Sequence, residues 1–273
     1  MKIKVLGSSA AEAVPALWCE CPVCAHARKN KGRDVRRRTC YLIDDDTLVD
    51  FGPDIYAQTL EFDIDLTRIR RILITHSHED HLNPVDLSWR RPGFSHVTKE
   101  IDLYANQSSL NRILALIPAP GFSLHKIREH LLSPGVPVTS GDIRILPIEA
   151  SHASPEETAL NYILERNGKK ILIANDTGWW KSESWEMVGG AALDAAVIES
   201  TSPLRKMNYD GHLDGDKTIA FRDELLRIGA LTPSSLVFTN HFSHNGAPVH
   251  ADMEAFFSPR GITTCYDGLE FEI

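Results

Sequence analysis

Four side chains of metal-ligating type fall within six residues at the end of one short apolar run: Ile72-Leu73-Ile74-Thr75-His76-Ser77-His78-Glu79-Asp80-His81. A compact run of branched apolar residues reads as a buried strand, so the cluster is placed where that strand leaves its sheet. Histidine is the commonest metal ligand, and carboxylate oxygen also suits zinc or manganese. In extended chain alternate residues point the same way, so His76 and His78 can share one ion. A turn into helix at Asp80 swings Asp80 and His81 away from that pair, toward a second ion. The spacing therefore predicts a two-metal site, with ions about 3.5–4 Å apart. A lone histidine here would be a solvated loop residue. Four ligand-type groups at one strand end have no such explanation. Their internal position and the acids between them exclude an affinity tag.

A two-metal site needs more ligands, and three later apolar runs each lead into one. Residues 145–149 lead to Ser151-His152, residues 171–174 to Asn175-Asp176-Thr177-Gly178, and residues 236–239 to Asn240-His241. Each alone reads as a turn or helix cap. Together they repeat one rule: ligands at strand ends, converging on one rim. His152 is assigned to the first ion, His241 to the second, and Asp176 to a bridge between them. Asp80 is also a candidate for carrying protons while it ligates.

Strands are predicted at residues 3–6, 71–74, 101–104, 143–148, 195–198 and 236–238. Hairpins are predicted at 40–43 with 47–49, and at 162–165 with 170–174 across the turn dipeptide Asn167-Gly168. Residues 262–266 and 269–273 read as a final strand pair. Helices are predicted over 53–60 with Pro53 in the first turn, over 107–116, and over 216–228, where Ile219, Leu225, Leu226 and Ile228 share a face. Pro118 and Pro120 break the second of these. The stretch holding His125 and His130 reads as an apolar–basic helix. Strands meander first and alternate with helices later. That predicts an α/β (α+β) arrangement, two sheets with helices outside, in one domain over 1–273.

The 273 residues suffice for such a core, and 42% hydrophobic with 24% charged residues is a globular composition. No apolar run approaches the ~18–20 residues of a membrane helix, and the apolar part of the N-terminus is too short for a secretory signal. The expectation is a cytoplasmic protein with no membrane partner. A net charge of −8 argues against general nucleic-acid binding, which needs a basic face. The basic run from Arg28-Lys29 to Arg36-Arg37-Arg38 reads as a solvated loop, the alternative being an arginine that meets a substrate phosphate. Arg205 and Lys206 carry the same two readings. Cys40 and Cys265 lie in apolar strands and read as core.

Trp18-Cys19-Glu20-Cys21-Pro22-Val23-Cys24 gathers three thiols into a loop spanning residues 18–26. Clustered cysteines in a chain of this character read as metal binding rather than disulfides. Three thiolates leave one tetrahedral position open. His26 is near in sequence; His244 is distant but follows His241 by three residues.

The pattern His76-x-His78-x-Asp80-His81 followed by His152, Asp176 and His241 resembles the metallo-β-lactamase fold hydrolases, in order and spacing, over nearly the whole chain. The resemblance implies a four-layer αββα sandwich with a two-metal rim site. Within that family the cysteine loop resembles the PhnP-type phosphodiesterases of the carbon–phosphorus lyase pathway. There the fourth ligand is a histidine three residues after the last active-site histidine. The likeness implies a structural zinc on Cys19, Cys21, Cys24 and His244, pinning the N-terminal loop to the loop of His241. The PqqB type of cofactor-biosynthesis protein has a similar cysteine loop but typically lacks the full His-x-His-x-Asp-His pattern. Similar proteins dimerise, so a homodimer is the candidate assembly.

The resemblance also implies a proton-donating histidine before the last rim ligand. His212, in Asp210-Gly211-His212-Leu213, is the candidate general acid or phosphate contact; Asn208 and Tyr209 nearby are candidates for a sugar-binding wall. The expected activity is metal-dependent hydrolysis of a small cyclic phosphate, a ribose cyclic phosphate or cyclic nucleotide, by a metal-bridging hydroxide. The cofactors would be two divalent ions, zinc or manganese, plus the structural zinc. The alternatives are a thioester or lactam hydrolase, an RNA-processing nuclease, or a non-catalytic PqqB-like accessory protein.

Overall fold

Successive side chains of a strand point to opposite faces, so a strand apolar at every position must be covered on both sides. The central strands of this chain are of that kind: β2 (Cys40–Ile43) and β3 (Thr47–Val49) are buried at each residue. The computed structural model describes residues 1–117, 121–153, 156–246 and 248–273. The break at Pro118 and Pro120 lies outside the described residues.

In chain order the strands are β1 (Lys2–Gly7), β2, β3, β4 (Arg71–Leu73), β5 (Ile101–Ala105), β6 (Ile127–Leu131), β7 (Val138–Ser140), β8 (Ile143–Glu149), β9 (Leu160–Arg166), β10 (Lys169–Ala174), β11 (Leu193–Glu199), β12 (Leu231–Asn240), β13 (Thr263–Thr264) and β14 (Glu270–Glu272). They form two seven-stranded sheets, in the orders β14-β1-β2-β3-β4-β5-β6 and β13-β12-β11-β10-β9-β8-β7. The helices are α1 (Pro22–Asn30), α2 (Ile55–Glu61), α3 (Pro84–Ser88), α4 (Gln107–Leu116), α5 (Gly121–Leu124), α6 (Ser182–Val188), α7 (Gly215–Arg227) and α8 (His250–Phe257).

The apolar side chains sort into three layers by strand parity. Val5, Tyr41, Ile43, Val49 and Leu73 from the first sheet pack with Ile145, Leu164, Ile171, Ile173 and Val197 from the second. The other parity of the first sheet, Leu42, Leu48, Ile72 and Ile74, packs with Ile55 of α2 and with Leu110 and Ile113 of α4. The other parity of the second, Leu172, Ala174, Ala196 and Ile198, packs with Val188 of α6, Phe221 and Leu225 of α7, and Met253 and Phe257 of α8. Three apolar layers between four structural ones make the αββα sandwich.

Both predicted hairpins form, β2–β3 and β9–β10. Asp44 and Asp45, and likewise Asn167 and Gly168, hold the positive φ such turns need. Four expectations are corrected. The C-terminal segments do not pair with each other: β13 joins β12 and β14 joins β1, so the last residues close one edge of each sheet. The stretch with His130 is not helical but the edge strand β6, which pairs in parallel with β5. α2 begins at Ile55, leaving Pro53 outside it, and the Asp54 carboxylate pairs with Arg38 instead of capping the helix. The basic run is not a single solvated loop: its first part is exposed helix, while Arg36, Arg37 and Arg38 are engaged by the protein itself. Arg28 and Lys29 lie on α1, which starts inside the cysteine segment. Arg36 is buried, bonding Ser8 Oγ, the Cys265 carbonyl and His250 Nδ1; Arg37 meets Glu61 and Asp267.

On α7 the buried face is Thr218, Phe221 and Leu225, with Leu226 partly exposed. Phe221 is fully buried against Trp180 and Trp185. Phe221→Ala is expected to cost about 3–5 kcal/mol of stability, read as a Tm lowered by several degrees with the same folded circular-dichroism spectrum.

Candidate metal centres

The carboxyl ends of six strands bring polar side chains to one rim. Asp50 follows β3; His76 to His81 follow β4; His152 follows β8; Asp176 follows β10; Thr201 follows Glu199, the last residue of β11; His241 follows β12. Ligand sites in open α/β sheets recur at this end. Asp50, Asp176 and His241 all have positive φ, at 69°, 44° and 64°, a region that costs a non-glycine residue energy and is retained where function requires it. Gly178 is a close-approach glycine: a Cβ there would stand 1.6 Å from the Asp210 carbonyl, in the loop that carries His212.

The rim residues fall into two neighbouring groups. His76 Nε2 stands 2.9 Å from His78 Nδ1, and His152 Nε2 stands 3.2 Å from the same atom. Two imidazole nitrogens on one tetrahedral zinc are about 3.3 Å apart, given Zn–N near 2.0–2.1 Å. Beside this triad, His81 Nε2 lies 2.5 Å from Asp176 Oδ2 and 3.0 Å from Asp80 Oδ2, and His241 Nε2 lies 3.0 Å from Asp176 Oδ1. Buried His81 Nε2, Asp176 Oδ2 and His241 Nε2 nevertheless make no hydrogen bond. Buried polar atoms that converge without bonding one another fit ligands of a common cation.

Four of the five rim histidines are held through their other ring nitrogen, as metal-ligating imidazoles are. His81 Nδ1 is 2.7 Å from Asp50 Oδ2 and His152 Nδ1 is 2.9 Å from the Gly211 carbonyl. His76 Nδ1 is 3.0 Å from Thr75 Oγ1, which itself donates to Asp50. His241 Nδ1 is 3.0 Å from Thr201 Oγ1, which donates to Glu199. Ser77, between the first two histidines, is gripped from outside: Glu157 accepts from its N–H at 2.8 Å and its hydroxyl at 2.7 Å, while Arg112 donates to its carbonyl.

Asp50, Asp80, Asp176 and Glu199 are all buried. Burial disfavours charge on His81, but Asp80, Asp176 and Asp50 outweigh it and push its pKa well up. Burial and the neighbouring imidazoles hold His76 down, and burial lowers His152. The cluster thus has an excess of acid that only a proton or a cation at its centre can balance. His212 Nδ1 is 2.7 Å from Glu199 Oε1 and 3.6 Å from Asp176 Oδ1. Burial opposes its charge, but Glu199 outweighs burial and raises the pKa to about 9. The ring lies 4.6 Å from that of His152 and 5.6 Å from that of Tyr209. These groups floor an open cavity of about 620 Å³, walled by Glu12 on one side and by Arg205, Lys206, Asn208 and Tyr209 on the other.

The cysteine cluster assembles separately. His244 Nδ1 lies 3.5 Å from Cys19 Sγ and 3.6 Å from Cys21 Sγ, and Cys24 completes the group. A sulfur and a nitrogen on one tetrahedral zinc are about 3.6 Å apart, given Zn–S near 2.3 Å. His26 points elsewhere, 3.2 Å from Asp34. Burial opposes ionisation of Cys21, but the Cys24 amide and His244 outweigh it and draw the thiol down to about 6, whereas burial pushes Cys24 up to about 12. A bound cation would deprotonate both. Cys40 and Cys265 are buried core thiols, as expected.

Three residues of this site escaped the sequence reading: Asp50, Glu199 and Thr201. Asp50 and Glu199 obey the same strand-end rule as Asp176, so the signal was present. What hid them is that neither offers a pattern of clustered ligands.

A sandwich of two mixed sheets with a His/Asp rim defines the metallo-β-lactamase class of fold. The sequence profile of the beta-lactamase superfamily domain matches residues 46–239, and the chain belongs to that family, which is hydrolytic and metal-dependent. Among curated proteins, an octanoyltransferase of Porphyromonas gingivalis (strain ATCC BAA-308 / W83) is 31% identical over 286 residues, covering 99% of this chain and 51% of that protein. Exodeoxyribonuclease YycJ of Bacillus anthracis is 25% identical over 145 residues, covering 53% of this chain and 49% of that protein. The chain thus spans about half the length of the curated relatives it matches. Among solved structures, a diphosphatase from the PhnP family superposes with TM-score 0.76 at 23% identity, covering 100% of this chain and 96% of that one. Zinc-bound PqqB from Methylobacterium extorquens does so with TM-score 0.79 at 19% identity, covering 100% of both. Both likenesses are of fold. No helix among the described residues is long and apolar enough to cross a membrane.

Two substitutions are expected to remove different ions. Glu157→Ala frees Ser77 and should weaken the His76–His78–His152 ion about 10–100-fold, so that elemental analysis after dialysis finds one ion fewer per chain. Cys21→Ala should also lose one ion, while leaving the cobalt(II) spectrum of the His/Asp rim unchanged.

Proposed function

We propose that the chain is a metal-dependent phosphodiesterase that opens a small cyclic phosphate. His76, His78 and His152 would hold one ion, Asp80, His81 and His241 a second, and Asp176 would bridge them. Cys19, Cys21, Cys24 and His244 would hold a structural zinc. When bound, the rim ions supply the Lewis acidity that lowers the pKa of water and neutralises phosphate oxygens.

The observation that carries the reading is the Glu199–His212 pair at the edge of the ligand cluster. Glu199 and Thr201 engage His212 Nδ1, which leaves Nε2 as the nitrogen free to meet substrate. A histidine kept protonated by a buried carboxylate is suited to deliver a proton to a departing alkoxide. Diester cleavage needs such a donor; thioester hydrolysis, with a thiolate leaving group, does not. Arg205 gives the cavity wall positive charge for an anionic substrate, Lys206 beside it being paired with Asp216, and Asn208 and Tyr209 offer hydrogen bonds to a sugar. Asp80, 3.0 Å from His81 and 3.7 Å from His241, would carry protons within the cluster while it ligates.

The test is leaving-group dependence. His212→Ala is expected to lower kcat on a 2′,3′-cyclic nucleotide about 10²–10⁴-fold and to affect bis-p-nitrophenyl phosphate far less, because p-nitrophenolate leaves without a proton. Equal losses on both substrates would remove His212 as the acid, and no turnover of any diester by fully metal-loaded protein would end the phosphodiesterase reading. The nuclease alternative is favoured by the exodeoxyribonuclease relative; single-stranded DNA in the same panel decides it.

A further inference from the structure

On the far side of the first sheet from the inter-sheet core lies a second cavity, of about 450 Å³. Its lining is mainly apolar: Leu48, Phe51, Ile69, Ile72, Leu87 and Ile101. That volume falls in the range of small-molecule sites, which are apolar with a few placed polar groups. The segment 89–99 lines the other side, with the Trp89 and Phe94 rings 4.9 Å apart and both substantially exposed.

One polar group on this wall is out of keeping with the rest. The half-buried Arg90 guanidinium donates through Nε to the His125 carbonyl at 3.3 Å and through Nη2 to the Lys99 carbonyl at 3.0 Å. Among the described residues no carboxylate pairs with it, and burial alone pushes its pKa down. Asp86, the acid that also lines the cavity, accepts from Asn83 instead. Lys99 adds a second cation at the same wall. A half-buried charge without a counter-ion carries part of the cost of a buried one, and an anion delivered by a ligand offsets that cost. An apolar cavity demands the opposite of an inorganic anion, so the two requirements together select an amphipathic one.

We infer that this cavity binds a medium-chain aliphatic carboxylate, with the chain against Leu48, Ile69, Ile72 and Leu87 and the carboxylate on the Arg90 guanidinium. Arg90 is suited to this because its planar fork matches a carboxylate in bidentate fashion. The site is separate from the metal rim and does not depend on the proposed phosphodiesterase activity. Its floor is the outer face of β3 and β4, the strands that lead into Asp50 and His76. Phe51 contributes to that floor, and its N–H bonds the His81 carbonyl.

The experiment is isothermal titration of the metal-loaded full chain with hexanoate, octanoate and decanoate, and with decanol. Saturable binding is expected, with affinity rising about 2–4-fold per added methylene and decanoate about 10-fold or more tighter than decanol, as a charged hydrogen bond provides. Arg90→Gln is expected to erase the preference for decanoate over decanol while keeping decanol binding. Should that variant bind neither, Leu66→Trp decides, since Leu66 also lines the cavity and a larger side chain there fills it with Arg90 intact: it must abolish decanoate binding at an unchanged Tm. Absence of saturable binding, equal affinity for decanoate and decanol, or full decanoate binding by Leu66→Trp would each overturn the inference. Turnover of diesters is not read in any arm, so failure here leaves the activity question separate.

Discussion

Four carboxylates, those of Asp50, Asp80, Asp176 and Glu199, are buried together at one end of the sandwich, and their charge is the constraint the rest of the rim answers. A buried carboxylate is tolerated only when paired and hydrogen-bonded. Two of the four meet that condition from protein groups alone. Asp50 accepts from the Thr75 amide and hydroxyl and contacts His81; Glu199 accepts from the amides of Thr177 and Thr201, from the Thr201 hydroxyl, and contacts His212. Asp80 and Asp176 face imidazole nitrogens instead. The site is therefore built in two shells: an outer pair of anchored carboxylates and an inner pair left open toward cations.

Holding the inner pair in place is the task of the scaffold. Tyr41 reaches from the first sheet to Asn175, next to Asp176, and accepts from Asn240, next to His241. Asn161 and Trp180 extend the network beneath the Asp176 turn. A second polar clasp joins the sheets elsewhere: Arg166 pairs with Asp44, Asp46 and Asp142, and Arg71 with Asp46 and Asp142. Asp44 and Asp46 come from the β2–β3 turn and Arg166 from the end of β9, so the two predicted hairpins are also where one sheet is tied to the other. With the sheets pinned, positive φ at Asp50, Asp176 and His241 is sustained by packing rather than relieved by movement.

The sequence made legible whatever is local. The His76–His81 run, the Asn167-Gly168 turn and helix Gln107–Leu116 each carry their signal within a few residues. The rim was legible because its ligands obey one positional rule, which Asp176 and His241 share. What stayed hidden is settled between distant segments. β13 and β14 are short, and nothing in 262–273 says that the two lie in different sheets. Arg36, Arg37 and Arg38 look like a solvated run because their partners, His250, Cys265, Glu61, Asp267 and Asp54, are scattered along the chain. Choosing His244 over His26 required a family likeness; the fold makes the same choice by turning His26 toward Asp34.

The two outer carboxylates are built on one plan, and the difference between them separates ligand from acid. Each contacts one histidine directly, His81 for Asp50 and His212 for Glu199, and reaches a second through a threonine hydroxyl, His76 by Thr75 and His241 by Thr201. In both halves the threonine accepts from Nδ1, so the relayed histidine keeps Nε2 for the rim. The directly held pair differs in what faces the other nitrogen. His81 is wholly buried and its Nε2 lies within reach of both Asp80 and Asp176. His212 is only partly buried and borders the open cavity. Under the proposed function, the same carboxylate contact would orient a ligand in one half and prepare a proton donor in the other, because the second ring nitrogen meets carboxylates in the first case and open cavity in the second.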